Sequence, residues 1–159
     1  MRGSLVFFHL KSKPLKWKTL ADIKNKYIGL VLGYSYGKTF DDAVKNGELK
    51  VEYVAHDILN FKKLLAGRID AYPSEIDVGY NFIHEHFTAE EAELFTHHPQ
   101  PLTSSPYVLL LSKAVHSNKQ RIERFNKGLK RLIDSGKVDQ YVAESRQGDY
   151  RFPAPTVPE

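Results

Sequence analysis

Tyr27-Ile28-Gly29-Leu30-Val31-Leu32-Gly33-Tyr34-Ser35-Tyr36-Gly37-Lys38-Thr39-Phe40 joins three local signals in fourteen residues. The run from Tyr27 to Leu32, rich in Ile, Val and Leu, predicts a strand buried on both faces, as in a parallel sheet. Gly33 and Gly37 bracket a Tyr-Ser-Tyr turn. Phe40, Ala43 and Val44 then recur at helical spacing, with Asp41 and Asp42 near the helix start, where the dipole favours negative charge. A strand, a glycine-bounded loop and a helix start aim unpaired backbone N–H groups at one point, a geometry suited to an anion.

The identity of that anion follows from spacing. Gly37-Lys38-Thr39 resembles the end of a nucleotide-binding P-loop, but that loop needs four residues between its glycines, and only three separate Gly33 from Gly37. No G-x-G-x-x-G occurs. Two readings stay open: a plain strand-to-helix turn in which the glycines serve only tightness, and a site for a small anion such as a carboxylate, held by backbone N–H groups, Ser35 and a tyrosine hydroxyl.

Around this unit the chain alternates. Leu5–Leu10 predicts a strand, Thr19–Asp22 a helix cap, Val51–Val54 a strand, and Asp57 the N-cap of a helix closed by Gly67. Ile69–Tyr72 predicts a third short strand after it, and Pro73 opens the next helix. Thr88-Ala89-Glu90-Glu91 is a further capping signal. This βαβαβα succession predicts a parallel sheet covered by helices. Past Pro99-Gln100-Pro101, Tyr107–Ser112 predicts a strand, and Asn118 starts a long helix with Ile122, Phe125, Leu129, Leu132 and Ile133 on one face. A short helix follows Gly136, and the tail from Gly148, with three prolines, predicts extended chain.

The composition excludes several classes. With 42% hydrophobic and 26% charged residues in 159, the chain has material for a core and is not wholly disordered. The net charge of +4 is spread along the sequence, and the basic face of the long helix lacks interleaved aromatics, so no nucleic-acid partner is expected. The absence of Cys removes disulfides, thiol catalysis and Cys-based zinc sites. His84 and His86, two apart, point in different directions on a helix, and with His97 and His98 they predict solvated histidines rather than metal ligands. No serine sits in a nucleophile elbow. No cofactor, metal site or catalytic residue is expected.

Glu75 is the second candidate. It follows a strand end, and in open α/β sheets ligands bind beyond the carboxyl ends of the strands. A zwitterion would fit a carboxylate site at Gly33, Tyr34, Ser35, Tyr36 and Gly37 beside an acidic partner for its ammonium. Equally, Glu75 fits as a first-turn helix residue favoured by the dipole. Asp70 reads as a structural acceptor at a turn or strand end.

These markers, with Leu20-Ala21-Asp22-Ile23-Lys24 before Ile28-Gly29, Leu64-Leu65-Ala66-Gly67-Arg68-Ile69-Asp70-Ala71, and the Phe125-Asn126-Lys127-Gly128-Leu129 to Ser135-Gly136 helix, give the chain its resemblance. It resembles the bacterial extracellular solute-binding proteins of family 3, the periplasmic amino-acid-binding proteins of ABC transporters with the type II periplasmic-binding fold, over nearly all of residues 5–145. The resemblance implies an α/β fold with one complete three-layer lobe plus the C-terminal strand and helices of the other. Residues 1–10 would be a hinge crossing strand, 11–100 lobe two, 101–147 the return into lobe one, and 148–159 a Pro-rich tail. It implies that Tyr34, Ser35 and Tyr36 help hold an amino acid's α-carboxylate and that Glu75 takes its α-amino group.

It further implies a non-catalytic role with an ABC-transporter permease as partner, and a periplasmic location. The alternatives are a ligand-sensing domain of a signalling protein or a dehydratase-type enzyme on the same fold. Most of lobe one, with its aromatic pocket, carboxylate-binding Arg and signal peptide, is expected to be missing from this chain. The apolar strand and helix of 103–145 would then be covered by a second copy in a homodimer.

Overall fold

A computed structural model describes residues 2–147. They divide into two compact units, one of residues 2–106 and one from residue 107 onward.

The first unit is built on β1 (Arg2–Leu10), which has partners on both edges. One edge pairs antiparallel with β4 (Tyr72–Glu75), Leu5 opposite Glu75 and Phe8 opposite Tyr72. The other pairs with β5 (Phe95–His97) and then β6 (Thr103–Pro106), again antiparallel. Between these two strands the backbone still touches β1, His98 N–H donating to Phe7 O and Leu102 N–H to Leu5 O, while the sequence Pro99-Gln100-Pro101 is looped out. Parallel pairing is confined to β2 (Tyr27–Val31) with β3 (Lys50–Val54), plus a bridge from Ile28 to Ala71.

Three sequence expectations change here. The sheet is mixed rather than parallel, because β1 runs against β4, β5 and β6. The third strand does not end at Tyr72; it is Tyr72–Glu75, and the helix after it, α4 (Ile76–His86), starts three residues later than Pro73. The reason is tertiary. β1 offers a complete antiparallel edge to residues 72–75, and Pro73 with its fixed φ is accepted in an extended strand. Phe95–His97 was not expected as a strand; three residues suffice because β1 supplies the ladder.

The helices are α1 (Leu20–Ile23), α2 (Lys38–Lys45), α3 (Asp57–Leu65), α4 and α5 (Ala89–Ala92). The capping boxes at Thr19 with Asp22 and at Thr88 with Glu91 form as read. Asp57 is not the N-cap of α3. His56 holds that position, and Asp57 is the first helical residue.

Strand alternation sends side chains to two cores. Phe7, Ile28, Leu30 and Ala71 join Leu15, Trp17, Ile23 and Phe40 on one face. Val6, Phe8, Val31 and Tyr72 join Phe61, Leu64 and Ile83 of α3 and α4 on the other. Helix, sheet and helix layers result. Phe8 lies edge-on to Phe61 at 5.4 Å and to Tyr80 at 5.2 Å, and burial of such a ring stabilises the fold by about 2–3 kcal/mol. α4 approaches this closely because Gly79 is bare; a Cβ there would enter the Phe8 ring.

The second unit contains α6 (Asn118–Asp134) and α7 (Lys137–Gln147), with the Gly136 turn between them. The expected strand at Tyr107–Ser112 is not present. The run is irregular, Leu110 is 83% exposed, and no ladder forms over it among the described residues. β-propensity alone does not make a strand; a neighbour must take its N–H and C=O groups. Phe125, Leu132 and Ile133 of α6 are exposed as well. The expected tail at 148–159 lies outside the described residues.

Candidate functional site

β2 ends at Val31 and the chain turns through Leu32 and Gly33, which has φ +80. Gly37, φ +102, is the N-cap of α2, and its backbone rests on Thr103, whose Cγ2 would lie 2.6 Å from an added Cβ. Thr103 is opposite Leu5, and Leu5 is opposite Glu75 on its other side. The 33–37 loop and Glu75 therefore stand at one end of the sheet, linked through one row of paired residues.

The loop's polar groups are partly spoken for. Asp41, one turn into α2, accepts the Ser35 hydroxyl at 2.5 Å and the Tyr36 backbone N–H at 2.9 Å. The Tyr36 ring is buried and its hydroxyl oxygen accepts the Val31 N–H at 2.7 Å. Burial pushes the Tyr36 hydroxyl pKa up to about 12. The Tyr34 hydroxyl does not face the loop; it donates to Asp57 Oδ2 at 3.2 Å. The free donors the loop retains are backbone ones, with Ser35 N–H carrying no hydrogen bond among the described residues.

Glu75 is neither a loose first-turn residue nor wholly committed. It is the N-cap of α4, and one oxygen, Oε2, accepts the backbone N–H groups of Asp77 at 2.8 Å and Val78 at 3.0 Å. Both bonds use the same atom, which leaves Oε1 for another donor.

Asp57 is the site-end residue that sequence reasoning took for a cap. Its carboxylate is almost fully buried and takes the Tyr72 hydroxyl on Oδ1 at 2.5 Å in addition to Tyr34 on Oδ2. Burial raises the Tyr72 hydroxyl pKa, and Asp57 adds to it; the Asp57 charge is the main cause that raises Tyr34. Both phenols remain donors through the ordinary pH range. No local signal announces this cluster, because its members are 23 and 15 residues from Asp57.

Asp70 accepts the Tyr27 N–H at 2.9 Å, a structural tie between the start of β2 and the turn before β4. The histidines have local partners: His84 stacks on Tyr80, His86 on Phe82, and His97 Nδ1 lies 2.8 Å from the Tyr80 hydroxyl. Among the described residues, no group of three His, Asp or Glu side chains is arranged to hold a metal ion, and no helix is long and apolar enough to cross a membrane. A surface depression of about 450 Å³ lined by Lys62, Leu65, Ala66, His86, Phe87 and Glu91 contains none of the site residues.

No protein-family model matches the chain, and no curated protein does. Solved structures do. An amino acid ABC transporter substrate-binding protein, AbpA, from Streptococcus pneumoniae bound to L-arginine is 16% identical, with 96% of this chain and 60% of that one covered at a TM-score of 0.66. Substrate binding domain 2 of Lactococcus lactis GlnP, in an open conformation, is 20% identical over 91% and 58%, TM-score 0.64. A mutant of ArgBP from T. maritima is 20% identical over 93% and 59%, TM-score 0.61. The fold is the type II periplasmic-binding-protein fold, and the chain spans 58–60% of the length of these structures.

Proposed function

We propose that this chain supplies one lobe and the return segment of a non-catalytic amino-acid-binding protein that serves ABC-transporter uptake outside the cytoplasm. The observation that carries this reading is the shared end of the sheet occupied by the 33–37 loop and Glu75, linked through Thr103 and Leu5. A ligand carboxylate accepts from backbone N–H groups of the loop, Ser35 N–H among them, and the field of the α2 N-terminus favours its charge. A ligand ammonium donates to Glu75 Oε1. Gly33, Tyr34, Ser35 and Tyr36 shape the carboxylate side. AbpA, which it resembles in fold, is an amino acid ABC transporter substrate-binding protein seen with L-arginine bound.

Nothing in this arrangement asks for catalysis. A dehydratase needs an acid and a base beside one ligand, and the carboxylates of Asp41 and Asp57 at this end have both oxygens bonded.

The proposal includes a homodimer. Residues 103–106 are taken by β1 of the same chain, so the contact with a second copy falls on the rest of the 103–145 segment, from Tyr107 onward. Its exposed Tyr107, Val108, Leu110, Phe125 and Ile133 are the apolar side chains that a second copy would cover.

The deciding experiment is a titration of the isotope-labelled chain with free amino acids, read by amide shifts. Shifts concentrated at residues 33–37 and 75–78 support the reading. Shifts scattered evenly over the surface, or none with ligand raised far above the millimolar range, overturn it.

A further inference from the structure

Tyr34 is 57% exposed, yet its hydroxyl donates to Asp57, a carboxylate only 9% exposed. A surface tyrosine ordinarily does the opposite, laying its ring on the protein and leaving the hydroxyl in water. Here the polar end is drawn inward and the ring is left outside. Asp57 is itself fixed, because the buried Tyr72 hydroxyl donates to its second oxygen.

The backbone on the C-terminal side of Tyr34 is held by Asp41, through Ser35 Oγ and Tyr36 N–H. Behind it stands the buried Tyr36 ring, centroids 6.4 Å apart and tilted by 42°. The outcome is a tethered aromatic ring that stays largely exposed. Such a face loses little entropy when something stacks on it.

The electrostatics select what stacks. The face of a tyrosine ring carries negative potential, and a carboxylate accepting from its hydroxyl pushes further electron density into it. Asp41, Asp57 and Glu75 are all at this end of the sheet. Lys38, the adjacent basic residue in sequence, is bound to Asp42 at 2.6 Å. An acidic ligand side chain meets like charge here, whereas a cationic one meets an aromatic face with carboxylates behind it.

We infer that Tyr34 determines specificity in the proposed amino-acid site: its anchored ring is the platform for a planar cationic group at the far end of the ligand, and Asp57 positions it. This rests on the amino-acid-binding reading above and names the ligand class within it. Tyr34 acts through its ring and not, as the sequence suggested, through its hydroxyl.

The test uses the full 159-residue chain and three probes, L-arginine, L-citrulline and L-glutamate. Arginine and citrulline share their shape and differ in charge at the planar end. Titrations read two signals, amide shifts at Ser35 and Glu75 and ring-current shifts of the ligand's terminal methylene protons. Arginine is expected to bind roughly three- to thirtyfold tighter than citrulline, the range of a cation on an aromatic face, with its terminal methylenes shifted upfield.

In Tyr34→Leu that ratio falls towards one and the upfield shift disappears, while the Ser35 and Glu75 amides still respond. Asp57→Asn, which keeps the size of the anchor, lowers the ratio by about threefold. Equal binding of arginine and citrulline by the native chain, or an unchanged ratio in both variants, overturns this inference and leaves the amino-acid reading standing. No response of the Ser35 and Glu75 amides to any probe overturns both.

Discussion

Asp41 Oδ1 accepts the Tyr36 backbone N–H at 2.9 Å, and its other oxygen takes the Ser35 hydroxyl. The helix that would attract a ligand anion thus carries a carboxylate of its own at its first turn. That carboxylate fixes the loop and at the same time competes for its donors. Loss of Asp41 should therefore loosen the loop: Asp41→Ala is expected to destabilise the chain by about 1–3 kcal/mol, the range for hydrogen bonds to a charged group. Chemical denaturation read by Trp17 fluorescence measures it, and a change within error would mean that the loop is set by Gly33 and Gly37 alone.

Glu75 combines two duties that substitutions can separate. Glu75→Gln keeps an acceptor for the Asp77 and Val78 N–H groups and removes the charge. Amino-acid affinity should fall by about 1–3 kcal/mol with a much smaller loss of stability. Glu75→Ala should lose both, the cap contributing about 1 kcal/mol, whereas Ser35→Ala keeps the backbone N–H proposed for the ligand carboxylate and removes only the hydroxyl given to Asp41, so it should change affinity far less. Calorimetry in a protein supplied with a complementary lobe is the measurement; unchanged affinity in Glu75→Gln removes Glu75 from the site.

By itself the chain should bind free amino acids only weakly, with Kd above ~1 mM. In the proposed site one lobe contacts the ligand, and a single lobe can neither exclude water nor close a hinge over it. Micromolar affinity of the 159-residue chain in a calorimeter would contradict this.

The tyrosines make stability fall in alkali. Tyr36 titrates near 12 in the folded chain and near 10 when unfolded, and Tyr72 is shifted in the same direction. Below about 10 both states hold the proton and the contribution is complete. Between about 10 and 12 the unfolded chain releases protons that the native chain keeps, so stability declines by roughly 2–3 kcal/mol for Tyr36 alone. Denaturation midpoints across this window should drop more steeply than in Tyr36→Phe; parallel slopes would refute the assignment.

Assembly is the remaining prediction. Most of the apolar residues of 107–133 that reach solvent are already about half buried, so each would gain roughly half of the ~1.5–3 kcal/mol of a full burial if covered. Light scattering after size-exclusion chromatography should give a dimer at micromolar concentration, and Phe125→Asp should shift it to the monomer. A folded native monomer of 18.2 kDa would rule the association out.

The sequence by itself determined the units that depend on neighbours in the chain. The capping boxes at Thr19 and Thr88, the left-handed glycines that end helices at Gly47 and Gly67, and the strand-loop-helix from Tyr27 to Phe40 are legible because their hydrogen bonds close within a few residues. So is the two-faced burial of β2, written in its unbroken apolar run. Tertiary structure alone decided the direction of pairing around β1, which moved the third strand to Tyr72–Glu75 and made a strand of Phe95–His97. It left Tyr107–Ser112 irregular, since a strand is a relation between two segments and propensity describes one.

It also decided the chemistry of the site. Residue types put carboxylates near a helix start, but only the fold brings Tyr34 and Tyr72 onto Asp57 and leaves Glu75 Oε1 open. Contacts between residues far apart in sequence leave no local pattern; they form when burial makes an unpaired hydroxyl or carboxylate too costly to keep.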